Sequence, residues 1–121
     1  MAAPMTPDEL KLRTKRFALA IIRLVGSLPR TEAARVIGGQ VLRSRTSVGA
    51  NYRAACRARS RAEFTSKLGV TEEEADETLY WLESLGKSGL IKGERIRQLM
   101  AEANELVAIF TASRKTATGK N

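Results

Sequence analysis

A chain of 121 residues is long enough for one domain, but a core of this size buries only a modest share of the surface, so self-association is expected. With 21 Lys and Arg against 13 Asp and Glu, the formal net charge is +8, which favours nucleic acid or an acidic protein surface as partner. A single cysteine excludes an intramolecular disulfide, and the lack of histidine removes the commonest metal ligand and the usual acid–base group near neutral pH.

The first predicted helix covers residues 7–28. Thr6 is placed to cap its N-terminus, Pro7 suits the first turn, and Glu9 completes a capping box. Pro29 ends the helix, because the residue before a proline avoids the helical region. One apolar stripe recurs at helical spacing: Leu10, Phe17, Ile21, Leu24 and Leu28. A second stripe beside it gives more apolar surface than one bundle core requires: Ala18, Ile22 and Val25.

The second predicted helix covers residues 32–58 and has three distinct faces. Its core arc is apolar: Ile37, Val41, Val48, Tyr52 and Ala55. The neighbouring arc is small and polar, which predicts close packing and a buried, hydrogen-bonded Asn51: Gln40, Ser44, Ser47 and Asn51. The opposite side carries arginines: Arg35, Arg43, Arg53 and Arg57.

Two further helices are predicted at 61–86 and 94–112, followed by a basic tail at 113–121. Ser60 and Glu63 form a second capping box, and residues 72–77 supply a solvated acidic face. Gly69 allows a kink, and Thr71 can start a fresh helix, but one helix is favoured. The third helix has this apolar stripe: Phe64, Leu68, Thr71, Ala75, Leu79, Leu82 and Leu85. The fourth has this one: Ile96, Leu99, Ala103, Leu106 and Phe110. The whole chain, 1–121, is therefore predicted to be a single all-α domain, an antiparallel up-down four-helix bundle.

Nothing in the sequence indicates catalysis, a metal or a cofactor. The acids lie in solvated runs rather than in apolar pockets, and Cys56 has no histidine to act as its base, so we expect a packing role for it. The glycine patterns of nucleotide-binding loops are absent as well. The N-terminal residues lack the order of a signal peptide, and no apolar run reaches the roughly 18 residues that span a bilayer. We therefore expect a non-enzymatic, cytoplasmic protein that does not associate with membranes.

The uneven charge is the strongest functional signal. Residues 1–67 carry fourteen Lys and Arg against four acids, whereas residues 68–121 carry seven against nine. Ordinary solvated helix faces would mix the two signs, so the first half is predicted to bind nucleic acid, mainly through phosphate contacts. Aromatic residues are too few to indicate base stacking. The candidate contact residues are Lys11, Lys15, Arg16, Arg23, Arg35, Arg43, Arg53, Arg57, Arg59 and Arg61.

Two sequence segments, TSVGANYRAACRARSRAEFTSKL and EADETLYWLESL, resemble the four helix bundle proteins also called ribosomal S23-like or 23S rRNA intervening-sequence proteins. The resemblance covers about residues 10–112 and assigns structural roles to five positions: Ser47, Asn51, Glu63, Phe64 and Trp81. One departure is that many members carry an acid just after the Asn motif, where this chain has Ala54, Ala55 and Cys56. The ion pair which that acid makes between the second and third helices is therefore not expected here.

The resemblance implies a non-enzymatic bundle that assembles as a ring-shaped homopentamer. Some members are encoded within inserts in the large ribosomal RNA gene. A related branch, the accessory variability determinant of diversity-generating retroelements, binds a reverse transcriptase and nucleic acid. Two functions therefore stay open: a nucleic-acid-binding homo-oligomer, and a protein-interaction scaffold such as an adaptor for a reverse transcriptase.

Overall fold

The computed structural model describes residues 5–119, and every side chain in that range except those of residues 45 and 46. The described residues form four α-helices and no β-strand. The helices are α1 (Pro7–Gly26), α2 (Glu32–Cys56), α3 (Arg61–Lys87) and α4 (Glu94–Ala117). Helices α1 and α2 each end two residues earlier than their sequence patterns predict.

Helices α1, α2 and α4 each begin after a residue that suits a helix N-terminus. Two of these residues accept hydrogen bonds from the free backbone amides of the first turn, and the third is a glycine that allows a sharp turn of the chain. The hydroxyl of Thr6 accepts from the Glu9 amide at 3.1 Å, and the Glu9 carboxylate accepts from the Thr6 amide at 3.2 Å, which confirms the first capping box. Thr31 caps α2 by accepting from the Ala34 amide at 3.1 Å. Gly93, which precedes α4, has a φ of 105°, a left-handed conformation that favours glycine.

The second capping box is only half present. The Ser60 hydroxyl accepts from the Glu63 amide at 3.0 Å, as predicted. The Glu63 carboxylate, however, accepts from the amide of Arg59 at 3.2 Å rather than from that of Ser60. It therefore secures the short connection between α2 and α3 instead of completing the reciprocal pair.

The helices pack in chain order around one core. Contacts join α1 to α2, α2 to α3, α3 to α4 and α4 back to α1, as in an up-and-down bundle. The α1–α4 seam is the least extensive of the four. The predicted stripes form the core, and these large side chains are completely or almost completely buried: Ile21, Leu24, Val41, Leu68, Leu82, Leu85, Leu106 and Phe110.

Helix α3 is continuous through Gly69, which confirms one helix over a fresh start at Thr71. The solvated acidic face, in contrast, is only partly solvated. Glu73 and Asp76 are exposed, but Glu72 and Glu77 are partly buried and pair with arginines of neighbouring helices. The periodicity of the acids did not reveal this, because the pairing depends on which helix lies alongside.

The predicted tail from residue 113 is wrong up to residue 117, because α4 continues to Ala117; residues 120 and 121 lie outside the described residues. Arg114 Nε donates to Glu72 of α3 at 2.5 Å, and the Thr111 hydroxyl donates to the same carboxylate at 2.6 Å. Arg61 Nε donates to the Ala117 carbonyl at 2.8 Å, which satisfies an end carbonyl of α4. These bonds hold the last turns of α4 against α3.

Candidate nucleic-acid interface

A basic surface lies where the second half of α2 meets the N-terminal parts of α1 and α3. We define the basic surface by six cationic side chains that line two adjacent grooves, one on each flank of α2: Lys11, Lys15, Arg53, Arg57, Arg59 and Lys67. The antiparallel packing of sequential helices brings these three parts of the chain to one end of the bundle.

Small residues shape the two grooves of the basic surface. The groove between α1 and α2 has a volume of about 200 Å³, and the groove between α2 and α3 has one of about 660 Å³. Ala50 and Arg53 line both, so Arg53 stands between them. With Gly49 and Ala54 also in the lining, the α2 residues between its arginines are small, so a ligand can approach the helix closely there.

The cations of the basic surface are almost unneutralised. Within the described part of the chain, Lys15, Arg53 and Arg57 have no ion-pair partner, and the same holds for the side chains of Arg59 and Lys67. Lys11 lies 3.9 Å from Asp8, an i,i+3 pair in which the carboxylate is almost fully exposed, so the attraction is weak. Glu63 is the single acid in the lining, and its carboxylate is bonded to a backbone amide.

Three of the ten predicted contact residues are engaged elsewhere. Arg35 pairs with Glu32 on its own helix at 2.7 Å. Arg43 pairs with Glu77 across the α2–α3 seam. Arg61 is bonded to the end of α4. The arginines of α2 do share a face, but Arg35 and Arg57 are about 33 Å apart along the helix at 1.5 Å per residue, too far to form one patch.

Two more predicted contact residues lie on a different side of α1. Arg16 and Arg23 line a groove between α1 and α4, together with Arg95 of α4. The structure thus brings together Lys11, Lys15, Arg53, Arg57 and Arg59, and it separates these five from the other five.

The residues assigned structural roles contribute in different ways. Asn51 is partly buried, and its side-chain amide donates to the Ser47 carbonyl at 2.7 Å, so its hydrogen bond stays within α2. Phe64 packs against the core from the first turn of α3. Trp81 packs there too, and its indole N–H donates to Glu77 at 3.4 Å.

Sequence reasoning missed Arg13, which links α1 to α4. Its guanidinium donates twice to Glu102, at 2.7 Å each, and lies 2.9 Å from Glu105. These bonds raise the pKa of Arg13, mainly through Glu102. The sequence did contain a signal for this link. Arg13 lies beside the apolar stripe of α1, and Glu102 and Glu105 lie beside the core positions of α4, so the three side chains flank the faces on which the two helices pack.

The described residues contain no group of three or more Cys, Asp or Glu side chains arranged to hold a metal ion. Cys56 is partly buried at the end of α2.

Tyr52 is buried in the core and packs against Phe110. Burial, with a contribution from Cys56, raises the pKa of the Tyr52 hydroxyl, which therefore stays protonated near neutral pH. Within residues 5–119, no helix has the length and apolarity that crossing a membrane requires.

The fold and this surface define a class: a basic, up-and-down four-helix bundle with a cluster of unpaired cations at one end. The family described as "23S rRNA-intervening sequence protein" matches residues 9–112. The chain belongs to that family, which confirms the resemblance drawn from the motifs.

A solved structure gives the same result. The chain is similar to the crystal structure of a protein of unknown function from the S23 ribosomal protein family of Bacteroides thetaiotaomicron VPI-5482. The two sequences are 35% identical, the TM-score is 0.83, and the match covers 92% of this chain and 99% of that one. Among curated proteins, no match was found.

Proposed function

We propose that this protein binds the sugar-phosphate backbone of nucleic acid through the basic surface, without catalysing a reaction, as a homo-oligomer. The observation that carries the proposal is the group of unpaired cations from α1, α2, the α2–α3 connection and α3 along two adjoining grooves. Membership of a family described by an rRNA intervening sequence supports an RNA-related role.

The chemistry of the basic surface favours phosphate over bases. Arginine presents a planar fork of donors that matches phosphate oxygens, and lysine adds a mobile point charge. None of the residues lining the two grooves is aromatic, so no stacking platform for bases lies there. Binding through this surface therefore depends on charge and shape more than on base sequence.

Charge reversal tests the proposal. The double variant Arg53→Glu, Arg57→Glu is expected to weaken binding of fluorescently labelled RNA and DNA, measured by anisotropy, by at least about a hundredfold. The matched control is Arg35→Glu, Arg97→Glu, which changes the net charge equally at two arginines whose ion pairs lie within one helix. This control should change affinity far less, because neither arginine belongs to the basic surface.

Equal losses in the two double variants would show that only the net charge matters, and would refute the basic surface as the binding site. Purification with and without nuclease gives an independent check, since bound nucleic acid should co-elute only without it.

The homo-oligomer part of the proposal rests on the resemblance and on the small size of the core. Light scattering at micromolar concentration is expected to give the mass of a pentamer, and a monomer would contradict this part alone. A reverse transcriptase partner stays a prediction from the resemblance. An adjacent reverse transcriptase gene would favour it, whereas a gene within an rRNA insert would favour the nucleic-acid role.

A further inference from the structure

A second surface feature lies on the other side of α1, away from the basic surface. We define the α1–α4 groove as the depression of about 640 Å³ between these helices. Phe17, Ala20 and Leu99 contribute apolar surface to it, and the exposed side chains of Met5 and Leu12 line it as well. Met5 is 38% exposed and Leu12 49%, so this apolar surface faces solvent.

The groove exists because α1 and α4 share the least extensive seam of the bundle. Arg13 connects the two helices through Glu102 and Glu105, so the walls are fixed by an ion-pair cluster rather than by a continuous apolar contact. The space left between the walls is lined mainly by apolar side chains and the stems of arginines.

The charge of the groove is one-sided. Its two acids are already engaged, since Glu9 accepts from the Thr6 amide and Glu102 accepts from Arg13. Three cations remain exposed with no ion pair in the described part of the chain: Arg16, Arg23 and Arg95. The groove therefore offers apolar anchoring sites flanked by free positive charge.

We propose that the α1–α4 groove binds an amphipathic, acidic helix of a partner protein. The α1 residues of the lining run from Glu9 to Arg23, which is about 21 Å at 1.5 Å per residue and matches a helix of about four turns. An apolar stripe on that helix fills the groove, and Glu or Asp beside the stripe pairs with the three free arginines.

Two other occupants fit less well. A nucleic acid could pair phosphates with the three free arginines, but its sugar-phosphate backbone has no apolar stripe to cover the side chains of Leu12, Phe17 and Leu99 between them. A second copy of this chain offers no acidic helix with an exposed apolar stripe. On α1, the exposed residues Leu12, Leu19 and Ile22 lie among lysines and arginines, which the free arginines of the groove would repel. On α3, the exposed residues Val70 and Tyr80 are ten positions apart, and the described part of α4 has none. No exposed face of α3 or α4 carries an apolar stripe at helical spacing.

The probe for the test is a fluorescein-labelled 21-residue peptide with Leu at the a and d heptad positions and Glu beside them. Fluorescence anisotropy is expected to show saturable binding at least about tenfold tighter than for a peptide of identical composition in shuffled order. Leu12→Gln should weaken binding about tenfold, because the peptide loses a leucine contact. The matched control is Leu19→Gln, since Leu19 is 43% exposed on the same helix but lies outside the groove.

A charge test separates this site from the basic surface. Arg23→Glu, Arg95→Glu should remove the preference for the Glu peptide over its Lys counterpart, whereas Arg53→Glu, Arg57→Glu should preserve it. The two groove variants, Leu12→Gln and Arg23→Glu, Arg95→Glu, should still bind RNA, because their basic surface is unchanged. Failure of the groove proposal is therefore distinguishable from failure of the nucleic-acid proposal. Equal binding of the shuffled peptide, displacement of the peptide by RNA, or a smaller assembly of Leu12→Gln in light scattering would each overturn the groove proposal.

Discussion

Two carboxylates on α3, two residues apart, have opposite effects on stability because of what faces them. Glu72 is bonded to Arg114 and Thr111 of α4, and the bond to Arg114 lowers the pKa of its carboxyl. One carboxylate oxygen of Glu74 is buried and has no hydrogen-bond partner among the residues that the structure describes. Burial, with the negative charge of Glu77, raises the pKa of this carboxyl group against the attraction of Arg43. The sequence presents both as members of one acidic run, since only the packed neighbours distinguish them.

Glu74→Gln is expected to stabilise the protein at neutral pH by about 0.5–1 kcal/mol. The raised pKa means that the folded state binds the Glu74 proton more tightly than the unfolded state does. Above that pKa the carboxylate is ionised, and its burial lowers the free energy of unfolding. As the pH falls through the folded-state pKa, the wild-type protein becomes protonated and the difference shrinks. Urea unfolding from pH 4 to pH 8 measures this, with the exposed neighbour Glu73→Gln as a control that should show no gain.

Glu72→Gln should act in the opposite direction and lower Tm at pH 7 by about 2 °C, a small value because the pair is partly exposed. The lowered pKa of Glu72 contributes stability that is fully present above the unfolded-state pKa and is lost as the pH falls through the folded-state pKa. The difference from wild type should therefore disappear in acid. A Tm difference that grew toward low pH would contradict the assigned role of Arg114.

At the scale of the elements, α1 is the helix least secured by packing. It contacts α2 along one side, but its seam with α4 is limited, and Arg13 provides a polar link across that seam. Few buried contacts imply a low free energy of local opening. We therefore expect α1 to be the first helix to open, even though its core side chains Ile21 and Leu24 are fully buried.

Arg13→Ala should lower the free energy of unfolding by about 1 kcal/mol, since it removes a bidentate, partly buried pair that also contacts Glu105. Native-state hydrogen exchange should show the largest loss of protection in α1, with a smaller change in α2 and α3. Arg97→Ala is the matched control, because its pair with Glu94 lies within α4 and is exposed. Uniform loss of protection in all four helices would argue against α1 as a separate opening unit.

At the scale of the whole molecule, the sequence alone predicted which residues form the core but not which charged side chains pair with each other. The stripes of α3 and α4 were predictable because burial follows the helical period, and Leu82, Leu106 and Phe110 are buried as expected. The engagement of Arg43 and Arg61 was not predictable, because it requires knowing that Glu77 and the end of α4 lie opposite. The α1–α4 groove was not predictable either, because a poorly filled seam between two helices leaves no periodic pattern in the sequence of either helix.

The separation of the basic surface from the arginines of the α1–α4 groove makes a prediction about salt. If the basic surface alone contacts phosphates, its six cations give a slope of log affinity against log salt of about −5 for a DNA duplex and about −4 for single strands. Arg53→Glu, Arg57→Glu should reduce the steepness by about 2, because two phosphate contacts are lost. Arg16→Glu, Arg23→Glu should leave the slope unchanged, since these arginines line the α1–α4 groove. Anisotropy titrations between 50 and 200 mM salt measure all three slopes, and a shallower slope in the Arg16, Arg23 variant would mean that nucleic acid also contacts the α4 side of α1.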